Sequence, residues 1–428
     1  MRCSIEGINH QGEGVGRVGG KAVFVPQALP GEVVEIVITD NRARFARAQL
    51  VQLLEASPYR LTPLCPHYYE CGGCAYQHAK YEEELVLKRQ IVKDAIQRIA
   101  KIATVVEPVL SMPEPWHYRN KVTWHMAATG KQEPVLGFFR EASRQLVPIS
   151  QCRLISEKMN CLTARVKALL PLIQPAPGSE ITLRESSLDH STMLIWKGLQ
   201  RWPAPEIWPE LSAISDSVVV IEKNTCHYIS GPQRLLDKLG QVKFALSPEA
   251  FFQVNHCQAE EMIRLILSLV DFSGKTVLDA FCGVGSIALN LARQAERVIG
   301  VESYEPAIHD ARCNAIEAGI YNVEFIHDLC ERAVARIDEP IDVIVLDPPR
   351  SGCKKELIQA CSRLSPREIV YVSCNPATLA RDLALFAQLG YRPLFIQPID
   401  MFPRTYHIET IVSLQRGNLQ KSLNLGTL

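Results

Sequence analysis

The sequence predicts an α/β protein that ends in a Rossmann-like, mostly parallel sheet, preceded by a small β-barrel and a central α+β segment. Three observations carry this expectation. From about residue 240 onward, apolar strands alternate with amphipathic helices, the pattern of a parallel sheet covered on both faces. Residues 277–288 read as a strand, a glycine turn and a helix start, the unit that opens such a sheet. Residues 1–56 alternate apolar and polar positions between glycine-rich turns, which buries one face and favours closure into a barrel. The expected division is 1–58, 59–240 and 241–428.

A chain of 428 residues has room for two or three cores, and 47% apolar with 21% charged residues is a soluble globular composition. Lys+Arg and Asp+Glu both number 46, so net charge argues for no polyanionic partner. By segment the basic and acidic counts are 6 and 6 in 1–58, 22 and 18 in 59–240, and 18 and 22 in 241–428. The centre is thus mildly basic, which weakly permits a nucleic acid there. No apolar run has the length of a signal peptide or a membrane span. A cytoplasmic protein with no membrane partner is therefore expected. In a reducing compartment, clustered members of its 14 cysteines point to metal binding rather than disulfides.

In the barrel segment, Arg42, Arg44 and Arg47 crowd one hairpin and offer a phosphate contact, although a solvated charged turn is the commoner meaning of such a trio. Next, Cys65, Cys71 and Cys74 stand six and three residues apart, with Gly72 and Gly73 letting a tight loop wrap a metal centre. Thiolates suit an iron–sulfur centre or zinc, and spacing alone does not choose between them. A fourth ligand is expected at Cys152, with Cys161 and His67 as weaker choices. Residues 80–100 have helical period, with Leu85, Ile91, Val92, Ala95, Ile96 and Ile99 on the expected buried stripe. Aromatic and basic residues interleave in 116–122 and 136–140, as in surfaces that stack splayed bases and hold phosphates. Residues 160–240 read as strands at 181–184, 193–196 and 218–222 between proline-rich turns, and the tail after Leu414 reads as a frayed end.

The chemistry gathers in the last segment. Asp279 stands beside the turn Phe281-Cys282-Gly283-Val284-Gly285-Ser286, and Glu302 ends the second strand where an acid can accept ribose hydroxyls. Gly283, Gly285 and Ala288 also satisfy a dinucleotide fingerprint. However, a carboxylate beside the turn repels a pyrophosphate and suits the sulfonium and ammonium groups of S-adenosylmethionine. Asp347-Pro348-Pro349-Arg350 ends the fourth strand, its prolines forcing an extended backbone that presents Asp347 to the crevice. Cys374 ends the fifth strand just before Asn375-Pro376 opens a helix, and that helix N-terminus is expected to favour the thiolate. Glu409 falls among apolar neighbours on an antiparallel closing strand, where a carboxylate is costly unless it has a partner or a task. A thiolate nucleophile, a carboxylate base and a methyl donor together suit alkylation of a ring carbon.

The set Asp-Pro-Pro-Arg at 347–350, Ser-Cys-Asn-Pro-Ala-Thr-Leu-Ala-Arg-Asp at 373–382 and His-Ile-Glu-Thr at 407–410 resembles the RNA (uracil-5-)-methyltransferase family. With the barrel, which resembles a TRAM domain, and the cysteine pattern, the chain is similar to iron–sulfur members that modify 23S ribosomal RNA. The resemblance covers nearly the whole chain and is weakest over 160–240. It implies a class I methyltransferase domain and a [4Fe-4S] cluster on Cys65, Cys71, Cys74 and Cys152. Cys374 becomes the nucleophile and Glu409 the base. Gln253, Phe281, Ser286, Glu302, Asp328 and Asp347 fall where the family binds the donor or the target base, Ser286 departing from the asparagine common at its position. The expected partner is 23S ribosomal RNA, protein-free or early in assembly, met by a monomer. Competing expectations are a transfer RNA T-loop uridine, amino-methylation of an exocyclic nitrogen, a non-catalytic RNA-binding or assembly factor, and, last, a nicotinamide enzyme.

Overall fold

The computed structural model describes residues 1–127, 134–173, 178–199, 205–223 and 225–417; the end of the tail, 418–428, lies outside the described residues. Strands β1 (Arg2–Ile8), β2 (Gly14–Val18), β3 (Lys21–Val25), β4 (Val33–Asn41) and β5 (Phe45–Glu55) close into a barrel in the order β1-β2-β3-β5-β4. Alternation puts Cys3, Ile5, Val23, Val25, Val34 and Ile36 inside, as period-2 patterning requires. Of the arginine trio, Arg42 pairs with Asp40 at 2.8 Å and Arg47 with the buried Glu13 at 2.5 Å. These two cations are thus engaged by the barrel's own acids, which weakens the phosphate-contact reading.

Helix α1 (Tyr81–Ala95) continues into a π turn, Ile96–Ala100. Its buried face differs from the expected stripe. Leu87, Ile91, Val92, Ile96 and Ala100 are buried together with Glu84 and Lys88, whereas Ile99 is 47% exposed. Two causes act together. A charge pair occupies positions that a hydrophobic stripe would exclude, and the wider π turn rotates Ile99 outward.

The central sheet comprises β6 (Lys121–Ala127), β7 (Val135–Phe139), β8 (Leu146–Pro148), β9 (Glu180–Glu185), β10 (Thr192–Lys197), β11 (Ser217–Glu222) and β12 (Thr225–Ser230), ordered β12-β11-β10-β9-β6-β7-β8. Helices α2 (Glu157–Ile173) and α3 (Trp208–Ile214) cover one face. The sequence reading did not anticipate α2. Its buried Met159, Leu162, Val166, Leu170 and Ile173 have helical spacing, but Pro171 in the last turn gives the segment a turn-like texture. A hairpin, β13 (Leu235–Leu239) and β14 (Val242–Leu246), leads into α4 (His256–Leu269), which Asn255 caps by accepting from the Gln258 amide.

The last sheet contains β15 (Thr276–Ala280), β16 (Arg297–Glu302), β17 (Val323–His327), β18 (Val343–Leu346), β19 (Glu368–Ser373), β20 (Tyr391–Ile399) and β21 (Glu409–Arg416). Its order is β17-β16-β15-β18-β19-β21-β20, with only β21 antiparallel to its neighbours. Helices α4, α5 (Ala288–Leu291) and α6 (Glu305–Glu317) bury Ile263, Leu289 and Ile308 on one face. On the other, α7 (Cys330–Arg336), α8 (Lys355–Arg363) and α9 (Pro376–Gln388) bury Val334, Leu357 and Leu379, joined by Ile91 and Ile96 from the α1 segment. Strand order reverses between β15 and β18, so a crevice opens at their carboxyl ends. Among the described residues no helix is long and apolar enough to cross a membrane.

Candidate active site

Register sets the site. Ala280 is level with Val301 on one side and Leu346 on the other, so Phe281, Glu302 and Asp347 form a row just past the strand ends. Ser373 pairs with Thr410 across the antiparallel ladder of β19 and β21. The next residues outward, Cys374 and Glu409, therefore face one another at the same edge. Phe281 leaves its strand with φ 71°, a left-handed turn that swings the chain toward the glycines. A Cβ at Gly300 would stand 2.6 Å from the Phe325 ring, so glycine there lets β17 close over β16.

The backbone fixes Glu302. Its carboxylate accepts from the amides of Ser303 at 2.6 Å, Tyr304 at 2.8 Å and Gly283 at 3.3 Å. Ser286 is half-buried in the same turn, and its carbonyl accepts from Asn290 at 2.9 Å. Asp328 sits beside Glu302 through a 3.2 Å backbone bond. Its carboxylate is held below the usual range by the Leu329 amide and then by Arg336. Gln253 is half-buried, and its carbonyl accepts from Asn120 at 3.3 Å.

Three carboxyl groups here are raised. Asp279 is fully buried, among the described residues neither of its oxygens has a hydrogen-bond partner, and burial followed by Asp347 pushes its carboxyl well up. Burial raises Asp347 to about 7. Glu409 is 5% exposed, its Oε1 has no hydrogen-bond partner among the described residues, and burial together with Asp347 raises it well above the usual range. A crevice that gathers three raised carboxyl groups fits a cationic ligand, and Asp279 beside the glycine turn suits the sulfonium and ammonium groups of S-adenosylmethionine.

One expectation is overturned here. The Cys374 thiol is not eased toward thiolate; it is pushed up to about 11 by burial, then by Glu409 and Asp347, with Arg350 opposing. Asn375 caps α9 as expected, accepting from the Ala377 amide at 3.0 Å. The helix end is nevertheless outweighed by burial and then by two carboxyl groups brought from other strands. Arg350 is the cation of the site, and the sequence reading gave it no role although it directly follows the two prolines. Its guanidinium lies 2.5 Å from His407, whose imidazole is driven down to about 3 by burial and then by Arg350.

A second feature lies between the central sheet and the segment before α4. Cys65, Cys71, Cys74 and Cys152 line one cavity of about 480 Å³, together with Arg119 and Phe251. Burial raises Cys71 to about 11, with Cys152 and Cys65 adding to the effect. Cys74 and Cys152 are raised as well, again chiefly by burial. His67 also lines the cavity and bonds to Ser150 at 2.8 Å, whereas Cys161 is exposed on α2 and is not part of it. Among the described residues no three His, Cys, Asp or Glu side chains are gathered closely enough to hold a metal ion directly. Four thiols on one cavity are the donor chemistry of an iron–sulfur centre or of zinc.

Comparison with known proteins bears on the first of these features and on the barrel. Residues 227–417 match the family described as tRNA (Uracil-5-)-methyltransferase, and residues 1–51 match the TRAM domain. An uncharacterized RNA methyltransferase of Clostridium tetani is 35% identical over 95% of this chain and 94% of its own length. One from Bacillus cereus is 36% identical over 96% of this chain and 95% of its own length. Among solved structures, the tRNA (uracil-54, C5)-methyltransferase of Pyrococcus abyssi with S-adenosyl-L-homocysteine superposes with a TM-score of 0.78 at 27% identity. That alignment covers 97% of this chain and 100% of the other.

Proposed function

Because the chain belongs to the TRAM-domain RNA (uracil-5-)-methyltransferase family, we propose that it methylates carbon-5 of a specific uridine in 23S ribosomal RNA through a covalent cysteine adduct. The observation that carries this reading is the register that sets Cys374 and Glu409 face to face, with Asp347 on the adjacent strand near enough to act on both electrostatically. Uracil carbon-5 is a poor nucleophile. Addition of the Cys374 thiolate to carbon-6 gives carbon-5 enolate character. S-adenosylmethionine, when bound, supplies an electrophilic methyl group. Glu409 then removes the carbon-5 proton, and elimination returns the thiolate. Asp347, raised to about 7, is protonated about half the time at neutral pH, and that form can donate to a uracil carbonyl as charge develops there. Gln253 is assigned to the uracil edge, and Phe281, Ser286, Glu302 and Asp328 to the donor. The base must leave its stack to reach this edge, and Phe251, 65% exposed on the cavity wall, offers a ring to the refolded strand.

Cys65, Cys71, Cys74 and Cys152 are assigned to a [4Fe-4S] cluster, supported by their shared cavity. The cluster has no part in the steps above. The cysteine lobe and barrel favour ribosomal RNA taken protein-free or early in assembly, in the cytoplasm, by a monomer. A transfer RNA uridine is the second reading, favoured by the named substrate of the Pyrococcus abyssi protein.

Methyl transfer from labelled S-adenosylmethionine to unmodified 23S ribosomal RNA and to unmodified transfer RNA, using anaerobically purified protein, tests this. Label recovered as 5-methyluridine in ribosomal RNA, and lost with Cys374→Ala, is the expected result. Label in transfer RNA alone overturns the substrate, and full activity of Cys374→Ala overturns the mechanism. The cluster is tested separately by iron and sulfide content, which is expected to fall in Cys74→Ser.

A further inference from the structure

The segment 400–408, between β20 and β21, has no regular structure yet is largely buried, and it is held mainly from outside its own sheet. Arg404 is its pivot. The Arg404 carbonyl accepts the amides of Ala75 at 2.8 Å and Tyr76 at 3.1 Å, the two residues that follow Cys74. Its own amide donates to Glu84 at 2.7 Å, and its guanidinium donates to the Ala79 carbonyl at 3.1 Å. The guanidinium lies over Trp116 at 4.8 Å and over Tyr81 at 5.0 Å. Around it, Lys88 binds Asp400 at 2.6 Å and Tyr118 donates to the Pro403 carbonyl at 3.0 Å.

Arg404 also holds φ at 67°, a left-handed conformation that disfavours any residue but glycine. Such a residue persists only where its surroundings over-determine it. Here those surroundings are the cysteine loop and α1, and the chain that leaves Arg404 enters β21 at Glu409 five residues later. We infer that Arg404 is a positioning residue: it transmits the placement of the loop carrying Cys71 and Cys74 to the strand that presents Glu409 to Cys374. Rearrangement at these cysteines moves the Ala75 and Tyr76 amides. The Arg404 carbonyl follows them, and the start of β21 loses its anchor.

This inference rests on Glu409 acting as the base, and the test has an arm independent of activity. Arg404→Gln is expected to lower kcat for methyl transfer by roughly 10²-fold while KM for S-adenosylmethionine stays within about twofold, since the loss is one of reacting geometry rather than donor binding. Hydrogen exchange on the unliganded protein reads the coupling directly. In Cys74→Ser the amides of 400–408 should exchange about tenfold faster or more, and adding Arg404→Gln to that variant should speed them no further. A wild-type kcat in Arg404→Gln overturns the inference. So does faster exchange in the cysteine loop with 400–408 unchanged, which needs only Cys74→Ser and so decides the matter even if Arg404→Gln fails to fold. Absence of methyl transfer by the wild-type protein would defeat the reading of Glu409 instead, leaving the exchange result to stand by itself.

Discussion

Free enzyme should carry Cys374 as a thiol, and its alkylation by iodoacetamide measures this directly. With the thiol pushed up to about 11, the thiolate fraction at pH 8 is on the order of 10⁻³, against about a quarter for a free cysteine. Alkylation of Cys374, followed by mass spectrometry of its peptide, should therefore run roughly 10²-fold slower than that of glutathione. Its rate should keep rising with pH, with no plateau up to about pH 9.5. Burial is the first cause and Glu409 the second. Glu409 is itself raised, so it opposes the thiolate only above its own titration. Glu409→Gln should then alkylate roughly three- to tenfold faster at the alkaline end of the profile, where the Glu409 carboxylate opposes the thiolate, and converge with wild type as pH falls. A cationic donor analogue should shift the profile down, relative to neutral S-adenosylhomocysteine of nearly the same size. A plateau near neutrality in the free enzyme would refute the reasoning, for it would mean that the helix end and Arg350 outweigh burial and the carboxyl row.

Asp279→Asn should weaken donor binding tenfold or more, seen by calorimetry, because it removes the acid that faces the cation. It should also change stability with pH. The folded Asp279 carboxyl is raised, so its penalty is absent below the ordinary carboxyl range and grows as pH rises above about 4. Urea unfolding should show the Asn variant gaining on wild type from pH 5.5 to 8, and a pH-independent difference would count against this. Lys88→Met should destabilise by about 3–5 kcal/mol in the same assay. It leaves Glu84 and Asp400 buried without the ammonium that bonds both at 2.8 and 2.6 Å. Phe251→Ala should raise KM for RNA by roughly 10- to 100-fold, the worth of one stacked base, and leave donor affinity unchanged; an equal loss of donor binding would instead show collapse of the segment before α4.

What was legible in the sequence was whatever sequence-local rules determine. The alternation after residue 240 predicts the parallel sheet, and strand ends identify Glu302, Asp347, Cys374 and Glu409, because a strand fixes which residue arrives at the edge. Asp279 was legible as an acid where an anion would be repelled. The thiol of Cys374 was misread because a helix N-terminus is visible in the adjacent residues, whereas the opposing carboxyls arrive from residues 347 and 409 through pairing. Likewise α1 reads as an ordinary amphipathic helix until Asp400 and Arg404, more than 300 residues away, are set against Lys88 and Glu84.

The same distinction explains why the strut through Arg404 leaves so little trace in the sequence. Each of its parts is unremarkable locally: a glutamate and a lysine one helical turn apart, an arginine in a loop, two amides after a cysteine. Their meaning lies in topology. Strand β21 is inserted between β19 and β20, and the hairpin loop 400–408 returns the chain from β20 to the edge where Glu409 faces Cys374. A loop of this length with no regular structure has to place its backbone groups somewhere, and here the cysteine lobe and α1 receive them. The segment that brings Glu409 opposite Cys374 is thereby fastened to the lobe whose thiols gather around a separate cavity. A fold that needed the loop only for closure could have secured it on its own sheet. Securing it on the neighbouring lobe makes the position of Glu409 depend on that lobe's integrity, and hydrogen exchange in 400–408 is where the dependence becomes measurable.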